Sequence, residues 1–339
     1  MKRVGQLFDK IFTEENIFQA YLDARKGKRS KQAVFKFEKH LGENLAALHQ
    51  EIHNGTYKPR PYFTFEVREP KLRIIHAPHF RDIVAQHAIY RAIYPIFNKT
   101  FIDRSYACRV GMGTHKASEY TQKSLRSCDP DSYTLKLDIR KFFASINRDI
   151  LRAQLERKIK DKRLIEMMML YAWKDTPVGI PIGNLLSQLY ALIYLNPLDH
   201  YIKRVLKVRS YVRYVDDFIL IGQSRELCVQ HLKQIITFIA DKLGLLLSKF
   251  SIAKVKRGLN FVGYRTWRTR TFIRKHSLFK FKRSCKQENQ KSMASILGHA
   301  CRSDSLPRLI SILKEAINHG KNLSVPKGFR RFYGVPCPG

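Results

Sequence analysis

Three aspartates have the types and spacing to do chemistry together. Asp216 and Asp217 are consecutive and flanked by apolar residues, and Asp138 closes a short alternating run well upstream. An aspartate in a tight turn most often serves only the turn, because its short side chain hydrogen-bonds the local backbone. Asp138 alters that reading, since two strands of one sheet can bring their carboxylates together. Three clustered carboxylates in a basic chain repel one another unless cations neutralise them. Mg²⁺ suits such oxygen ligands, because it keeps several waters and bridges to substrate phosphates. Two such ions about 3.5–4 Å apart would activate a 3′-hydroxyl and stabilise a leaving pyrophosphate. The chemistry implied is nucleotidyl transfer.

The elements that must carry these residues follow from local pattern. Tyr133, Leu135 and Leu137 alternate with Thr134, Lys136 and Asp138, so one strand delivers Asp138 on its polar face. Tyr211–Tyr214 and Asp217–Ile221 read as two short strands meeting at Val215-Asp216 in a tight hairpin. A helix to Leu243 follows, then a closing strand from Leu259 to Tyr264. Between the aspartates lie helices from about Arg148 to Trp173 and a Pro/Gly-rich loop from Pro177 to Gly183. An apolar helix through Leu189, Leu192 and Ile193 comes next, and Pro197 should kink or end it.

Upstream, Thr13 can cap a helix through Ile17, Phe18 and Tyr21, and an amphipathic helix from Val34 to Ile52 is stopped by Gly55. Tyr62–Val67 and Lys71–His76 read as strands joined at Arg68-Glu69-Pro70, with Lys71 and Arg73 on one face. A helix spans about Phe80 to Phe97, and Gly111-Met112-Gly113 opens another after Thr114. Such a glycine loop is far more often a turn than a phosphate cradle. Strands interrupted by helices without regular alternation indicate an α+β fold, a sheet backed by helices.

Composition agrees with that chemistry. Of 339 residues, 63 are Lys or Arg and 28 are Asp or Glu, a formal charge of +35. A hydrophobic fraction of 44% excludes a disordered basic tail as the main identity, so a folded basic protein facing nucleic acid is expected. No apolar run approaches the roughly 18 residues of a membrane span, and the start is polar. Six scattered cysteines without a Cys-x-x-Cys pair read as reduced thiols, which points to the cytoplasm. The run Arg25–Lys31 reads equally as a phosphate contact or a solvated loop. His76, His79 and His87 lack the cysteine or fourth ligand of a metal cluster, so they are read as structural or as nucleic-acid contacts.

Four motifs carry a resemblance. Tyr214-Val215-Asp216-Asp217 resembles the catalytic hairpin of reverse transcriptases, and Leu137–Ile146 resembles their first aspartate motif. Ile180–Gln188 is similar to the loop-helix that supports the template–nucleotide pair, and Phe261-Val262-Gly263-Tyr264 to the primer-grip turn. The motifs stand in the family's order, and the resemblance covers roughly residues 15 to 300. Group II intron enzymes usually read Pro-Gln-Gly in that loop, whereas this chain has Pro181-Ile182-Gly183, followed by Ser187-Gln188. That variant resembles the reverse transcriptases of diversity-generating retroelements, as do the segments Thr100–His115 and Leu297-Gly298-His299-Ala300.

The resemblance implies a right-hand polymerase: fingers with part of the palm over 1–130, palm over 131–266 and a basic helical thumb over 267–339. It implies Asp138, Asp216 and Asp217 as catalytic ligands of two Mg²⁺ ions, with the Ile139 backbone assisting. Lys71 and Arg73 would hold the triphosphate, and Phe143 would exclude a 2′-hydroxyl, while Phe142 is read as core. Ile182, Gly183 and Gln188 would border the nucleotide, and Phe261, Gly263 and Tyr264 would form the primer grip. The implied function is copying a template-repeat RNA into cDNA with errors at adenines, for diversification of a target gene. The implied partners are that RNA, the RNA/cDNA duplex, dNTPs and a small helical accessory protein.

Two other readings stay open: a faithful group II-like or retron-like enzyme, and a polymerase relic that only binds RNA. The intact aspartates argue against the relic. Departures from the family are Ile83, where an Arg often follows the Asp, and Ser251, where many relatives carry a Lys proposed to protonate pyrophosphate. Lys249 and Lys254 lie near that position, and no residue is assigned as that acid.

Overall fold

Helix starts are fixed by side chains that take up free backbone N–H groups. In the computed structural model, which describes residues 3–68, 72–173, 175–326 and 328–329, Thr13 accepts from Asn16 N at 3.2 Å. Asn147, Asp161, Asn184 and Asn289 cap later helices in the same way.

The chain runs through α1 (Phe8–Ile11), α2 (Glu14–Arg25), α3 (Gln32–Glu38), α4 (Leu41–His53), β1 (Phe63–Val67), β2 (Arg73–Ala77), α5 (Phe80–Asn98) and α6 (Thr114–Arg126). Next come β3 (Tyr133–Ile139), α7 (Phe142–Ser145), α8 (Arg148–Glu156), α9 (Lys162–Leu170), α10 (Leu185–His200), β4 (Ser210–Tyr214) and β5 (Asp217–Gln223). It closes with α11 (Arg225–Leu243), β6 (Leu247–Lys254), β7 (Leu259–Phe261), β8 (Tyr264–Thr266), β9 (Thr271–Ile273), α12 (Lys275–Lys286), α13 (Gln290–Ala300) and α14 (Leu306–Asn318).

Two compact units result. The first comprises Met1–Cys108, Asp138–Lys207 and Leu232–Lys249. In it α2 packs along α5, and Tyr21, Phe37 and Phe80 meet with ring centroids 5.2–6.4 Å apart. The Asp82 carboxylate, 1% exposed, accepts from the Tyr57 hydroxyl at 2.6 Å and from Arg60 N at 3.0 Å. That pairing is what lets a buried charge stand there. β1 and β2 form an antiparallel hairpin that pairs Phe63 with Ala77 and Val67 with Arg73.

The second unit comprises Arg109–Leu137, Val208–His231 and the chain from Phe250 onward. Four strands hydrogen-bond in the order β4-β5-β3-β6, and the boundary between units falls within β3 and β6. β7, β8 and β9 make a separate antiparallel sheet. Tyr264, Ile273, Phe281, Met293, Leu297, Leu309 and Leu313 form the core shared by that sheet and α12–α14.

Several local expectations need correction. Residues 259–264 are a hairpin of β7 and β8 in their own sheet, and the strand at the edge of the four-stranded sheet is β6. The helix expected from Val34 to Ile52 is two helices, α3 and α4, because the Asn44 side chain donates to the Phe37 carbonyl at 3.0 Å and ends the first. Pro197 does not end α10, which passes directly into a π-helical turn, Tyr201–Val205. Burial of Leu198 and Ile202, both 0% exposed, holds the chain helical across the missing N–H. Thr134 is buried at 4% and donates to the Ala253 carbonyl, so it is not on a solvent face.

Candidate active site

In the second unit the acid pair sits at the tip of a stiff hairpin. Tyr214 pairs with Asp217, leaving Val215 and Asp216 as the two turn residues. Val215 has φ +56°, an uncommon conformation for a β-branched residue, of the kind retained where surrounding structure enforces it. The enforcement is visible: Arg213, 0% exposed, donates to the Val215 carbonyl at 3.0 Å, and Tyr211, Val212, Phe218, Ile219 and Leu220 are fully buried. Asp217 Oδ2 accepts from Lys136 Nζ at 2.8 Å. The same ammonium donates to the Asn260 carbonyl at 2.7 Å and lies 5.7 Å from the Phe261 ring centroid.

Beyond Asn260 the chain turns at Val262 and Gly263, and Phe261 pairs with Tyr264. The rings of Phe261 and Tyr264 are each 1% exposed, so the partly exposed tip of the turn is its accessible part. Gly263 has φ +91°, and a Cβ there would lie 2.6 Å from His299 Nε2. The Tyr264 ring stacks on His299 with centroids 4.2 Å apart. Its hydroxyl donates to the His299 carbonyl and lies 3.1 Å from His115 Nδ1. Burial pushes the His299 imidazole below its ordinary pKa.

The first unit holds the remaining expected residues. Asp138 Oδ2 accepts from the Ser248 hydroxyl at 2.8 Å, with Lys249 Nζ at 3.9 Å. Ile139, which follows Asp138, is buried at 2% exposure. Lys141, at φ +42°, turns the chain into α7. Phe142 is 2% exposed and packs toward Tyr194, as core, whereas Phe143 is half-buried.

The Pro/Gly-rich loop is pinned on both sides. Ile180 N donates to the Phe143 carbonyl at 2.9 Å, and His76 N in β2 donates to the Ile182 carbonyl at 2.7 Å. Gly183 has φ +123°, and a Cβ there would meet the His76 carbonyl oxygen at 2.8 Å, so the loop lies flat against β2 only with glycine. Ser187 Oγ donates to the Pro181 carbonyl at 2.6 Å, and Gln86 Oε1 accepts from Leu185 N at 2.9 Å. The structure thus brings Phe143, Ile182, Gly183 and β2 together. Arg73 on β2 and Gln188 on α10 are exposed, and Lys71 lies outside the described residues.

The donor chemistry fits a hard divalent cation. Asp216 and Asp217 offer adjacent carboxylates, and Asp217 Oδ2 and Asp138 Oδ2 each already face a lysine ammonium. Among the described residues no three His, Cys, Asp or Glu side chains form a ready metal group. The expected ligands are divided, with Asp138 in the first unit and the pair in the second. The three histidines lie in separate settings: His76 beside Tyr62, His79 against Phe63, and His87 half-buried with its pKa pushed down to about 4.

Sequence reasoning missed Lys136, Arg213 and the His115–Tyr264–His299 arrangement as parts of the site. The alternation put Lys136 on the same strand face as Asp138, and the resemblance marked Tyr264 and the segments that hold His115 and His299, but neither brought these residues together.

The sequence pattern described as reverse transcriptase (RNA-dependent DNA polymerase) matches residues 65–266. The chain belongs to the reverse transcriptase family. Its α+β architecture is that of these right-hand polymerases, and the matched span contains all three aspartates, the pinned loop and the Val262-Gly263 turn. This reverse transcriptase is 25% identical to protein YkfC of Escherichia coli (strain K12), over 68% of this chain and 73% of that protein. It is 24% identical to the group II intron-encoded protein LtrA of Lactococcus lactis subsp. cremoris, over 66% of this chain. It spans 49% of LtrA, about half that relative's length. Among solved structures it is similar to telomerase from Candida albicans in complex with a TWJ fragment of telomeric RNA. That likeness has a TM-score of 0.47 at 13% identity, over 76% of this chain and 57% of the other. No helix among the described residues is long and apolar enough to cross a membrane.

Proposed function

We propose that this reverse transcriptase copies a template-repeat RNA into cDNA with errors concentrated at template adenines, and that the mutated cDNA diversifies a target gene. The observation that carries the reading is the loop at Ile180–Gly183, held by its backbone between β2 and the turn at Phe143. In that loop Ile180 and Pro181 are buried, and Ile182, partly exposed, is a branched alkyl group. A glutamine there could hydrogen-bond the nascent pair or its template strand, and a site without that polar contact discriminates less between competing nucleotides. The focus on adenine rests on the resemblance to diversity-generating enzymes.

In this reading Asp138, Asp216 and Asp217 hold two Mg²⁺ ions, with the Ile139 carbonyl assisting. Bound there, the metal would lower the pKa of the primer 3′-hydroxyl and neutralise the leaving pyrophosphate. Lys71 and Arg73 hold the triphosphate of the incoming dNTP by charge, and Phe143 closes the space of a 2′-hydroxyl. Gly183 and Gln188 border the base pair. Phe261, Gly263 and Tyr264 shape the turn that supports the primer end. Fingers, palm and thumb follow the limits 1–130, 131–266 and 267–339, and the basic helices of the last segment track the RNA/cDNA duplex. A small helical accessory protein is a partner, and the cytoplasm is the place of action.

Primer extension on one RNA template, with the accessory protein supplied, tests this by deep sequencing of the cDNA. Errors mainly opposite adenines, lowered in Ile182→Gln without loss of synthesis, are expected. A faithful wild type would assign the chain to the group II-like enzymes, and no product with intact RNA binding would make it a relic.

A further inference from the structure

We infer that Lys136 is a positioning residue that ties Asp217 to the primer-grip turn and yields its hold on the carboxylate when a metal ion arrives. The inference rests on the metal and primer-grip roles proposed above. One ammonium has three donors and no acceptor. Here it serves the Asp217 carboxylate at 2.8 Å and the Asn260 carbonyl at 2.7 Å, against the face of Phe261.

These partners lie on two other strands, Asp217 on β5 and Asn260 and Phe261 on β7, so β3 fixes where β5 begins and where β7 leads into the Val262-Gly263 turn. The pair is not a loose surface contact: the Lys136 side chain is 20% exposed and that of Asp217 is 27%. A divalent cation on Asp217 would stand beside the ammonium, and the two like charges oppose each other. Lys136 therefore has two separable effects. It holds the turn where a primer end needs it, and it competes with metal for the carboxylate.

Those effects carry opposite signs when the charge is removed, which a merely structural lysine would not produce. Lys136→Met keeps length and an apolar stem without the ammonium, Lys136→Gln keeps one donor for Asn260, and Lys136→Arg keeps the charge. Mn²⁺ binding, followed by the loss of the free-ion electron paramagnetic resonance signal, reads the metal without catalysis. Primer-extension kinetics read KM for primer and for dNTP separately.

With the charge gone, Mn²⁺ should bind about fivefold more tightly in both neutral variants. The primer KM should rise about tenfold in Lys136→Met, as expected for a displaced support, with the dNTP KM within about twofold. Lys136→Arg should stay near wild type in both. Unchanged Mn²⁺ affinity and primer KM in the neutral variants, or a loss of both together, would overturn the inference. Asp217→Asn is the control for the reading beneath it: Mn²⁺ binding that survives this change would remove the metal assignment itself.

Discussion

The His299 imidazole stacks on the Tyr264 ring at 4.2 Å and 22°, while the Tyr264 hydroxyl donates back to the His299 carbonyl. A residue of α13 is thereby clamped from two directions onto the turn that follows β7. Gly263 lies under the same imidazole at φ +91°.

Gly263→Ala therefore meets two obstacles, the ring and the left-handed backbone, with strain of about 1–3 kcal/mol from the backbone alone. We expect a lower melting temperature and a loss of primer extension. His299→Ala in the same chain should remove the steric part and leave the backbone part. Calorimetry on the single and double variants checks this, and full recovery in the double variant would show that the backbone conformation costs nothing.

Catalysis should depend on the carboxylates and RNA binding on the overall charge. Asp216→Asn is expected to reduce cDNA synthesis below about one per cent of wild type while RNA affinity is retained. Affinity itself should fall by about a thousandfold between 50 and 200 mM salt if six or more phosphates are neutralised. Filter binding across a salt series reads the slope, and a flat line would separate the +35 charge from the binding surface.

Phe142 and Phe143 are neighbours with different surroundings, one buried at 2% and the other half-buried. Phe142→Ala should cost about 3–5 kcal/mol as a core truncation. Phe143→Ala should cost less and raise ribonucleotide incorporation relative to deoxynucleotide. Incorporation ratios and melting curves on both variants decide the assignment, and a destabilised Phe143→Ala with unchanged sugar choice would return that ring to the core.

His87 gives a pH signature. Burial, reinforced by Lys28, lowers its pKa to about 4, with Asp23 opposing and Arg91 adding to the shift. The unfolded imidazole titrates near 6.5, so the unfolded chain binds more protons between those values. The stability from a neutral His87 is thus complete above about pH 6.5 and is lost as the pH falls toward 4. Melting temperature should drop less between pH 7 and pH 5 in His87→Gln than in wild type, and parallel curves would exclude His87 as a contributor.

The hairpin that carries Asp216 and Asp217 was legible because its strands are short, apolar and separated by only two residues, so pattern and turn chemistry agree. β6 was not, since an edge strand with Ser248, Lys249 and Phe250 exposed has no buried face to impose alternation. Val262-Gly263 read as strand because an apolar pair beside an aromatic looks extended until the glycine's φ is known. Lys136 looked like a solvent-facing strand lysine, because its partners Asp217 and Asn260 lie far away in sequence and meet it only in the fold. Arg213 was invisible for a similar reason: a buried arginine is justified by a carbonyl that only the hairpin turn presents.

The double pinning of the loop at 180–183 has an evolutionary consequence. Because one backbone hydrogen bond leads to β2 and another to the carbonyl of Phe143, a shift of the loop reaches β2 and the Phe143 turn at once. With the roles proposed for Ile182 and Phe143, copying error and ribonucleotide tolerance would be inherited as one trait. In that reading, a lineage selecting for more variable cDNA by substitutions in this loop would drift toward mixed-sugar products, unless a second change near Phe143 accompanied the first. Gly183, with the His76 carbonyl where a side chain would begin, closes the simplest route to separating them.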